Sequence, residues 1–493
     1  MSNPKKAYYV VNQVLFHFEA PDGKPVFPLD ESNTDTPVPE EILTQFEKGF
    51  EVKFQTTKQR AIPLSGKKAR GFVRLEMMAT RRISVAQYVT EMTDRIVNPH
   101  GHFEFSTKDG RKLWLIGVAP NWLCGTTQGT SIGIGGPGTQ PVFSHRSITT
   151  QPSITWPSFR SPTFRGGEVA VRTVHVFVLD TVPEDVGKSG GPQRPNFDSA
   201  HKPSSDALVI EDPPGYPVKI GDPTADDKHM PEHGTFIAGI IGTIAPSAKI
   251  HLVQVLNNHG IGSVESIAAG FALVRDAQAR EFAGAPCLIN CSFAVAVPVI
   301  QDPAPTGPNA RLQAHDVTDL DVNNKDPNQI SSSHDLFHDI ADLALPNPYK
   351  CGIVAAAGND SESARPPETL PFMARYPARL DTVLGVGALD KSGMRANFSN
   401  APDNPAAIGL MTLGSLVGPM FDIDNNAMDF AEWGGTSFAT PVITGLIAKL
   451  MGEYGFDFPG AVAELRNAEP VPFDAIRNLE PMTGGEIVKV TQP

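Results

Sequence analysis

One stretch near the C-terminus, GGTSFATP at residues 434–441, constrains the fold more than any other part of the chain. The residues after it, 442–451, read VITGLIAKLM, and this almost uncharged run is typical of a helix buried on most sides. Glycines let backbone segments approach closely, and Pro441 falls in the first turn, where a missing N–H costs little. Ser437 is therefore either the cap of a core helix or a nucleophile at the positive end of a helix dipole.

Upstream segments offer the partners that a nucleophilic serine needs: a base, an orienting carboxylate and an oxyanion donor. The run VHVFVLD predicts a buried parallel strand that ends in Asp180, at the edge where open α/β sheets place their sites. His233 begins HGTFIAGII, which predicts a second helix rich in small residues, and IVAAAG predicts another buried strand before Asn359. Each of these residues, taken alone, also fits ordinary cap or turn chemistry.

The chain order Asp180, His233, Asn359 and Ser437 resembles that of the subtilisin-like serine proteases. VLDTV, HGTFIAG, AAAGND and GTSFATP are similar to that family's aspartate strand, histidine helix, oxyanion turn and nucleophile motif. INCSFA resembles its substrate-binding strand, and YPA, GVGA and NFS resemble its later strands. The resemblance covers about residues 168–455 and implies an α/β fold with a subtilisin-like doubly wound, mostly parallel sheet.

The resemblance implies a serine endopeptidase that hydrolyses peptide bonds through an acyl-enzyme. Asp180 would orient the imidazole of His233, which takes the proton of Ser437 and gives it to the leaving amine. Asn359 and the backbone N–H of Ser437 would hold the tetrahedral oxyanion. Substrate would pair along the groove as an added strand. The expected substrate-binding residues are Gly260, Gly262, Ser292, Phe293, Ala294, Ala356, Gly358 and Arg375.

Three departures from the family pattern lie outside the triad. The His-Gly-Thr motif is normally followed by a second histidine, and here Phe236 stands in that place. The nucleophile helix normally continues His-Val-Ala-Gly and here reads Val442-Ile443-Thr444-Gly445. Ala294 stands where the family prefers glycine, and its methyl group could crowd a bound peptide. Two alternatives to a protease therefore stay open, a peptide-binding pseudoprotease and a docking protein that works through its N-terminal domain.

Arg375 precedes the Tyr-Pro strand, and the family pattern places that residue near the floor of the pocket for the residue before the cut. A guanidinium in a partly desolvated pocket favours an acidic substrate side chain. Alternatively, Arg375 points to solvent or pairs with Asp360 or Glu362, and Asp360 would itself favour a basic residue. The sequence leaves these interpretations open.

Four regions are expected along the chain, whose 493 residues are long enough for two or three domains. Residues 1–125 are expected to form a small α+β N-terminal domain, either pro-domain-like or regulatory. Residues 126–167, rich in Gly, Thr, Ser and Pro, predict a linker. Residues 168–455 are the expected catalytic domain, and residues 456–493 are expected to pack on it as a C-terminal extension. The N-terminal domain is expected to cover the substrate groove and to restrain the enzyme as a zymogen.

Hydrophobic periodicity predicts the elements of the N-terminal domain. Strands are predicted at residues 8–18, 71–78, 103–106 and 112–118, and helices at residues 40–50 and 83–97. No further strand is predicted between residue 118 and the catalytic domain.

The charge and the cysteine content limit which partners and which cellular location are expected for the protein. The formal net charge of −13 argues against a nucleic-acid or anionic-membrane partner. The resemblance implies a protein or peptide substrate as the partner. Neither a secretory signal nor an apolar run of membrane-spanning length is recognised. Cys124, Cys287, Cys291 and Cys351 are scattered without ligand spacing, so free thiols in a cytoplasmic enzyme are expected.

No metal and no cofactor is expected. The helix from His233 runs through residues 239–248 directly into a strand, without the calcium-binding loop that many family members insert there. The insertion at residues 297–333 is rich in Asp and Asn oxygens that could hold Ca²⁺, although its composition favours a solvated loop. His334 and His338 have the i,i+4 spacing of metal ligands, but no third ligand can be identified.

Overall fold

The computed structural model of the chain describes the following residues: 9–24, 26, 38, 40–48, 52–54, 60–65, 69–79, 85–97, 102–107, 109–126, 141–143, 163–164, 171–186, 197–201, 230–258, 260–295, 339–341, 351–359, 361, 373–404, 408–422, 426–467 and 486–487. The chain divides into two compact units. The first contains Met1–Leu123, Ser263–Ala272 and Ala296–Ala344, and the second contains Cys124–Gly262, Leu273–Val295 and Leu345–Pro493.

The first unit is built on an antiparallel sheet. Its elements are β1 (Tyr9–Ala20), α1 (Glu40–Glu47), β2 (Val52–Phe54), β3 (Arg60–Ser65), β4 (Ala69–Ala79), α2 (Val85–Val97), β5 (Phe103–Ser106) and most of β6 (Lys112–Thr126). The strands β6, β1, β4 and β2 are neighbours in that order, with β3 beside β4 and β5 beside β6. Aromatic side chains fill the core, where Phe16 stacks on Phe46 at a centroid distance of 4.2 Å and Tyr88 packs edge-on against Phe16.

A partly buried ion cluster ties a late segment of the chain into this unit. Arg70 donates to Glu19 at 2.9 Å and to both carboxylate oxygens of Asp339 at 2.7 and 2.6 Å. Burial would raise the pKa of Asp339, but the hydrogen bonds and charges of His17 and Arg70 outweigh it and hold that pKa below its usual value. Asp339 therefore stays ionised in this cluster at neutral pH.

Strand β6 differs most from the prediction. It was expected at residues 112–118 but continues to Thr126, so the boundary between the units falls inside it. Residues 119–126 read APNWLCGT and lack the alternation of a strand. These residues form a strand because of their pairing with other strands. β1 pairs with β6 as far as Trp122, and the strand at Phe293–Val295 pairs with it from Cys124.

The second unit holds the strands and helices that carry the predicted catalytic motifs. They are β7 (Val142–Phe143), β8 (His175–Asp180), β9 (Ser199–His201), α3 (His233–Ile244), β10 (Lys249–Gln254), β11 (Ile261–Ser263), α4 (Val264–Arg280), β12 (Cys287–Cys291), β13 (Phe293–Val295), β14 (Cys351–Ala356), β15 (Val383–Leu389), β16 (Leu410–Leu413), β17 (Ser415–Asp422), β18 (Ala427–Gly434), α5 (Thr436–Glu453), α6 (Phe458–Asn467) and β19 (Glu486–Ile487). Ser263 and the first turns of α4 are counted with the first unit.

Eight strands form the central sheet in the order β19-β16-β15-β14-β12-β8-β10-β9. Every pairing in this order is parallel. The predicted α/β fold with a mostly parallel sheet is therefore confirmed.

Helices α3 and α5 pack closely against each other in the core of this unit. A Cβ atom on Gly445 would lie only 2.9 Å from Cβ of Ile244, so glycine is what permits this distance. Both helices are buried along almost their whole length, as their apolar sequences predict. Their contact brings the start of α3 and the start of α5 to the same region.

Smaller features complete the unit. The hairpin of β17 and β18 was not predicted, and β7, which lies inside the predicted linker, pairs with β18. Helix α6 adds Ala461 and Leu465 to the core. Within the described residues, no helix is both long and apolar enough to cross a bilayer.

Several sequence predictions fall on residues outside the described ranges. These are the insertion at 297–333, His334, His338, Asp360, Glu362 and most of the linker.

Candidate active site

Three neighbouring parallel strands bring their carboxyl ends to one edge of the central sheet. The register of β12 with β8 and with β14 sets Asp180, Ser292 and Ala356 at the same level. The turn after β14 then leads to Asn359. The sheet thus collects, at one edge, side chains that lie far apart in the sequence.

His233, the first residue of α3, is hydrogen-bonded to Asp180. Its Nδ1 atom lies 2.7 Å from Oδ1 of Asp180, and both side chains are completely buried. A Cβ atom on Gly234 would lie 2.2 Å from the carbonyl oxygen of Thr181, so only glycine lets α3 begin this close to the end of β8. The same carboxylate oxygen accepts the backbone N–H of Thr181 at 2.7 Å, which fixes its orientation.

Aromatic side chains enclose the imidazole. The His233 ring lies 5.3 Å from the ring of Trp433 and 5.4 Å from that of Phe438. Phe236, which stands where the family pattern has histidine, packs against the same Trp433 and Phe438. An apolar ring at position 236 suits this surrounding, where a charged imidazole would be desolvated. Because Phe438 follows Ser437, the imidazole also lies beside the first turn of α5.

Ser437 is the second residue of α5 and is completely buried. Its hydroxyl donates to the carbonyl oxygen of Ser292 at 2.9 Å, and the Ser292 hydroxyl donates to the carbonyl oxygen of Ser437 at 2.9 Å. The Nε2 atom of His233 is buried without a hydrogen-bond partner in the part of the chain that the structure describes. The Ser437 hydroxyl must therefore turn away from Ser292 before it can give its proton to the imidazole.

Pro441 explains why the Ser437 carbonyl is available to Ser292. In a regular helix this carbonyl would accept the N–H of the residue four positions later, which here is Pro441. Proline has no N–H to donate, and the carbonyl accepts the Ser292 hydroxyl. The sequence predicts Pro441 in the first turn, where a missing N–H costs little, and this is wrong: Pro441 is the sixth residue of α5, so it removes a helical hydrogen bond.

Asn359 is oriented by Thr436, the residue before Ser437. The Oδ1 atom of Asn359 accepts the backbone N–H of Thr436 at 3.0 Å and its hydroxyl at 2.9 Å. The Thr436 hydroxyl in turn accepts the backbone N–H of Gly358 at 3.2 Å. Gly358 has a φ of +106°, which favours glycine at this turn. These bonds make the Nδ2 group the donor end of the Asn359 amide, as an oxyanion hole requires.

The predicted substrate-binding strand already has a partner within the second unit. Strand β13 pairs antiparallel with the end of β6, with Phe293 opposite Thr126, Ala294 opposite Gly125 and Val295 opposite Cys124. The edge along which a substrate was expected to pair is thus occupied by residues 124–126 of the same chain. Gly260 and Gly262, the other expected substrate-binding glycines, lie on either side of Ile261 at β11.

Arg375 lies between the oxyanion turn and the segment that supports β13. Its backbone N–H donates to the carbonyl of Ala357 at 2.9 Å, and the next residue, Tyr376, accepts the N–H of Val295 at 3.0 Å. The residue is only 7% exposed, so the interpretation that it points to solvent is wrong. Its two alternative carboxylate partners lie outside the described ranges.

All four cysteines are buried and free. Burial raises the pKa of the Cys287 and Cys291 thiols well above the usual value, so these thiols stay protonated and unreactive. Among the residues that the structure describes, no group of three or more His, Cys, Asp or Glu side chains is arranged to hold a metal ion.

The comparisons with known proteins agree with this geometry. The model of the subtilase family matches residues 178–468, more than half of the chain, and the chain belongs to this family. The resemblance on which the fold was predicted is therefore confirmed.

Three relatives illustrate how far the similarity extends. Subtilisin DY of Bacillus licheniformis is 27% identical over 233 residues, which are 45% of this chain and 64% of the relative. Subtilisin Savinase of Lederbergia lenta is 28% identical over 239 residues, 46% of this chain and 65% of the relative. The alkaline serine protease ver112 of Corniculantispora psalliotae is 27% identical over 327 residues, 64% of this chain and 65% of the relative. The chain thus spans less than two thirds of each relative.

Gly234→Ala is expected to break the hydrogen bond between Asp180 and His233, because the added methyl group would force the start of α3 away from β8. The measurement is the strongly deshielded imidazole proton in the one-dimensional proton NMR spectrum of the full chain. This resonance should be present in the unaltered protein and absent in Gly234→Ala. Asp180→Asn serves as the control that removes the acceptor carboxylate, and circular dichroism verifies that both variants fold. An unchanged resonance in folded Gly234→Ala would contradict the role given to this glycine.

Proposed function

We propose that the protein is a serine endopeptidase that uses Asp180, His233 and Ser437 to hydrolyse peptide bonds. The observation that supports this most is the buried hydrogen bond of 2.7 Å between Asp180 and His233, set beside the first turn of the helix that carries Ser437. Asn359 is tied to that same turn through Thr436. Nucleophile, base, orienting carboxylate and oxyanion donor thus have the roles that acyl transfer requires.

The reaction begins when the Ser437 hydroxyl leaves the carbonyl of Ser292 and turns to Nε2 of His233. The imidazole takes the proton while Oγ attacks the carbonyl carbon of the scissile peptide bond. Asp180 keeps the proton on Nδ1, so Nε2 is the basic nitrogen, and it stabilises the imidazolium that forms.

The Nδ2 group of Asn359 and the backbone N–H of Ser437 donate hydrogen bonds to the negatively charged oxygen of the tetrahedral intermediate and stabilise it. His233 then protonates the leaving amine, the C–N bond breaks, and the acyl-enzyme remains on Ser437. Water then attacks the carbonyl carbon of the acyl-enzyme, with His233 again as the base. The C–O bond to Ser437 breaks and the carboxylic acid product is released. In subtilisin itself, loss of the oxyanion asparagine costs about 10²–10³-fold in kcat, which sets the scale for Asn359.

Ser437→Ala and His233→Ala are each expected to lower peptide hydrolysis by on the order of 10⁶-fold, because the members of a triad act as a unit. The measurement is kcat/KM for an unfolded protein or peptide substrate, with circular dichroism to verify the fold. Near-normal hydrolysis by either folded variant would exclude the triad. The pseudoprotease alternative predicts a different result, namely peptide binding without cleavage by the unaltered chain.

We also propose that the N-terminal region restrains this activity in a cytoplasmic zymogen. Support comes from the pairing of residues 124–126 with β13, since a bound substrate would compete for the same backbone groups. Ser437 and His233 are completely buried in this state, which fits a site that is covered until a segment is displaced. A cytoplasmic location, favoured by the free thiols, would make such restraint necessary.

A recognition sequence for a site-specific protease, inserted in the linker after Thr126, gives a direct test. Cutting there should raise kcat/KM, because residues 124–126 then dissociate more easily from β13. The same insertion left uncut is the control, and it should behave like the unaltered chain. Equal kcat/KM before and after complete cutting would contradict the restraint, and a folding or docking role for the N-terminal domain would then be preferred.

For specificity we propose a preference for an acidic residue before the cleaved bond. Arg375 is buried beside the oxyanion turn. Burial, with an added contribution from the charge of Arg375, lowers the pKa of nearby Arg379. Two neighbouring guanidinium groups in a desolvated setting favour an anionic ligand, through charge-assisted bonds.

Arg375→Ala should remove this preference, because its guanidinium is the group expected to meet the substrate carboxylate. The measurement is a peptide library read at the position before the cleaved bond, for the unaltered and variant chains. Enrichment of Asp and Glu that disappears in Arg375→Ala is the expected result. A preference for large apolar residues that the substitution leaves unchanged would rule the proposal out.

A further inference from the structure

A row of buried hydrogen bonds joins the third turn of α5 to the nucleophile. The Thr444 hydroxyl donates to Oδ1 of Asn290 at 2.9 Å, and Nδ2 of Asn290 donates to the Ser292 hydroxyl at 2.9 Å. The Ser292 hydroxyl donates to the carbonyl of Ser437 at 2.9 Å. All four residues are completely buried, so water does not compete for these groups.

Pro441 has no N–H for the Ser437 carbonyl, which accepts the Ser292 hydroxyl in the last bond of this row. The Ser437 hydroxyl also donates to the carbonyl of Ser292. In this resting state Ser292 holds Ser437 at two points, and the bond to the backbone carbonyl remains when the reactive hydroxyl turns to His233. The position of Ser292 therefore determines the position of Ser437.

The protons available on each group determine which group donates in each bond of the row. A hydroxyl has a single proton, and that of Ser292 is used on the Ser437 carbonyl, so its oxygen accepts from the Nδ2 group of Asn290. The Oδ1 atom of Asn290 consequently faces α5 and needs a donor there. Thr444 is that donor, although its hydroxyl also lies 3.0 Å from the carbonyl of Thr440 and shares its proton with it.

We propose that Thr444, acting through Asn290 and Ser292, is a positioning residue that holds Ser437 in place for attack. Without its hydroxyl, Asn290 would keep a buried acceptor with no donor, and such a group costs enough to make the amide move or turn. Ser292 would then lose its own donor and shift. The family pattern has alanine at this position, so the support from Thr444 is a feature of this chain. This role rests on the proposed hydrolase function and adds a determinant of its rate.

The test is Thr444→Val in the full chain, since valine keeps the shape and removes only the hydroxyl. We expect kcat for peptide hydrolysis to fall by about tenfold or more, because small displacements of reacting groups cost up to about 10²-fold. KM should change less than kcat, since Thr444 contacts none of the expected substrate-binding residues directly and reaches Ser292 only through Asn290. The rate at which a small fluorophosphonate acylates the protein should fall in parallel with kcat. Thr444→Ser restores a hydroxyl and should recover both rates.

Thr440→Val is the matched control. Thr440 lies one turn earlier on the same helix and is equally buried, but its hydroxyl donates to the carbonyl of Thr436 within α5, at 2.7 Å, and not to another strand among the described residues. Its loss should lower kcat and the acylation rate far less than Thr444→Val does. All rates are measured below the melting temperatures of the variants.

The outcomes separate this role from the proposed function. Wild-type kcat and acylation rates in Thr444→Val would overturn the positioning role and leave the hydrolase function standing. Equal losses in Thr444→Val and Thr440→Val, or no recovery in Thr444→Ser, would assign the effect to general helix stability and also overturn it. A protein that neither hydrolyses peptides nor reacts with the probe, even after its linker is cut, would overturn the hydrolase function, and the positioning role with it.

Discussion

The parallel pairing of β8, β12 and β14 is the constraint on which the site depends. Parallel strands in register end at the same edge of a sheet, so Asp180, Ser292 and the turn to Asn359 meet there although the chain separates them widely. Helices must then cover the sheet, and α3 and α5 approach it so closely that glycines stand at the contacts. Gly234 sets the distance from His233 to Asp180, and Gly445 sets that between the two helices.

The nucleophile is held by polar groups inside an apolar core. Buried polar networks stabilise a structure only when every group has a partner, and the bonds around Ser437 meet that condition through Ser292, Asn290 and Thr444. Pro441 lacks the N–H that would donate to the Ser437 carbonyl, and this carbonyl accepts the hydroxyl of Ser292. Since Ser292 directly precedes β13, the segment that holds the nucleophile continues into the strand that pairs with residues 124–126. In the proposed mechanism, access of substrate and alignment of the nucleophile would thus depend on one short segment.

Much of the fold and the four proposed catalytic residues could be predicted because their signals are local. Asp180 ends an apolar strand run, His233 begins a helix of small residues, and Ser437 stands in a motif of glycine, threonine and proline. The continuation of β6 to Thr126 could not be predicted, because its residues have no strand pattern and only the pairing with distant residues makes them a strand. The burial of Arg375 likewise depends on tertiary packing, so it could not be predicted from the sequence around this charged residue.

The hydrogen-bonding residues around the nucleophile were missed for a related reason. Thr436 and Thr444 read as ordinary members of a buried helix, and Asn290 as a polar residue within a strand. Thr436 bonds Asn359 in the turn after β14, and Thr444 bonds Asn290 in β12, so no local pattern within α5 could reveal these contacts. Phe236 is a similar case, since only the rings of Trp433 and Phe438 explain its apolar character.

Covalent labelling of the full chain tests most directly whether Ser437 is a nucleophile activated by His233. The protein, before and after the linker is cut, is treated with a fluorophosphonate probe and digested, and the modified serine is identified by mass spectrometry. Modification should be confined to Ser437, become faster after cutting, and disappear in His233→Ala, since the imidazole must take the hydroxyl proton. Modification at another serine, or equally fast modification of Ser437 in His233→Ala, would contradict it.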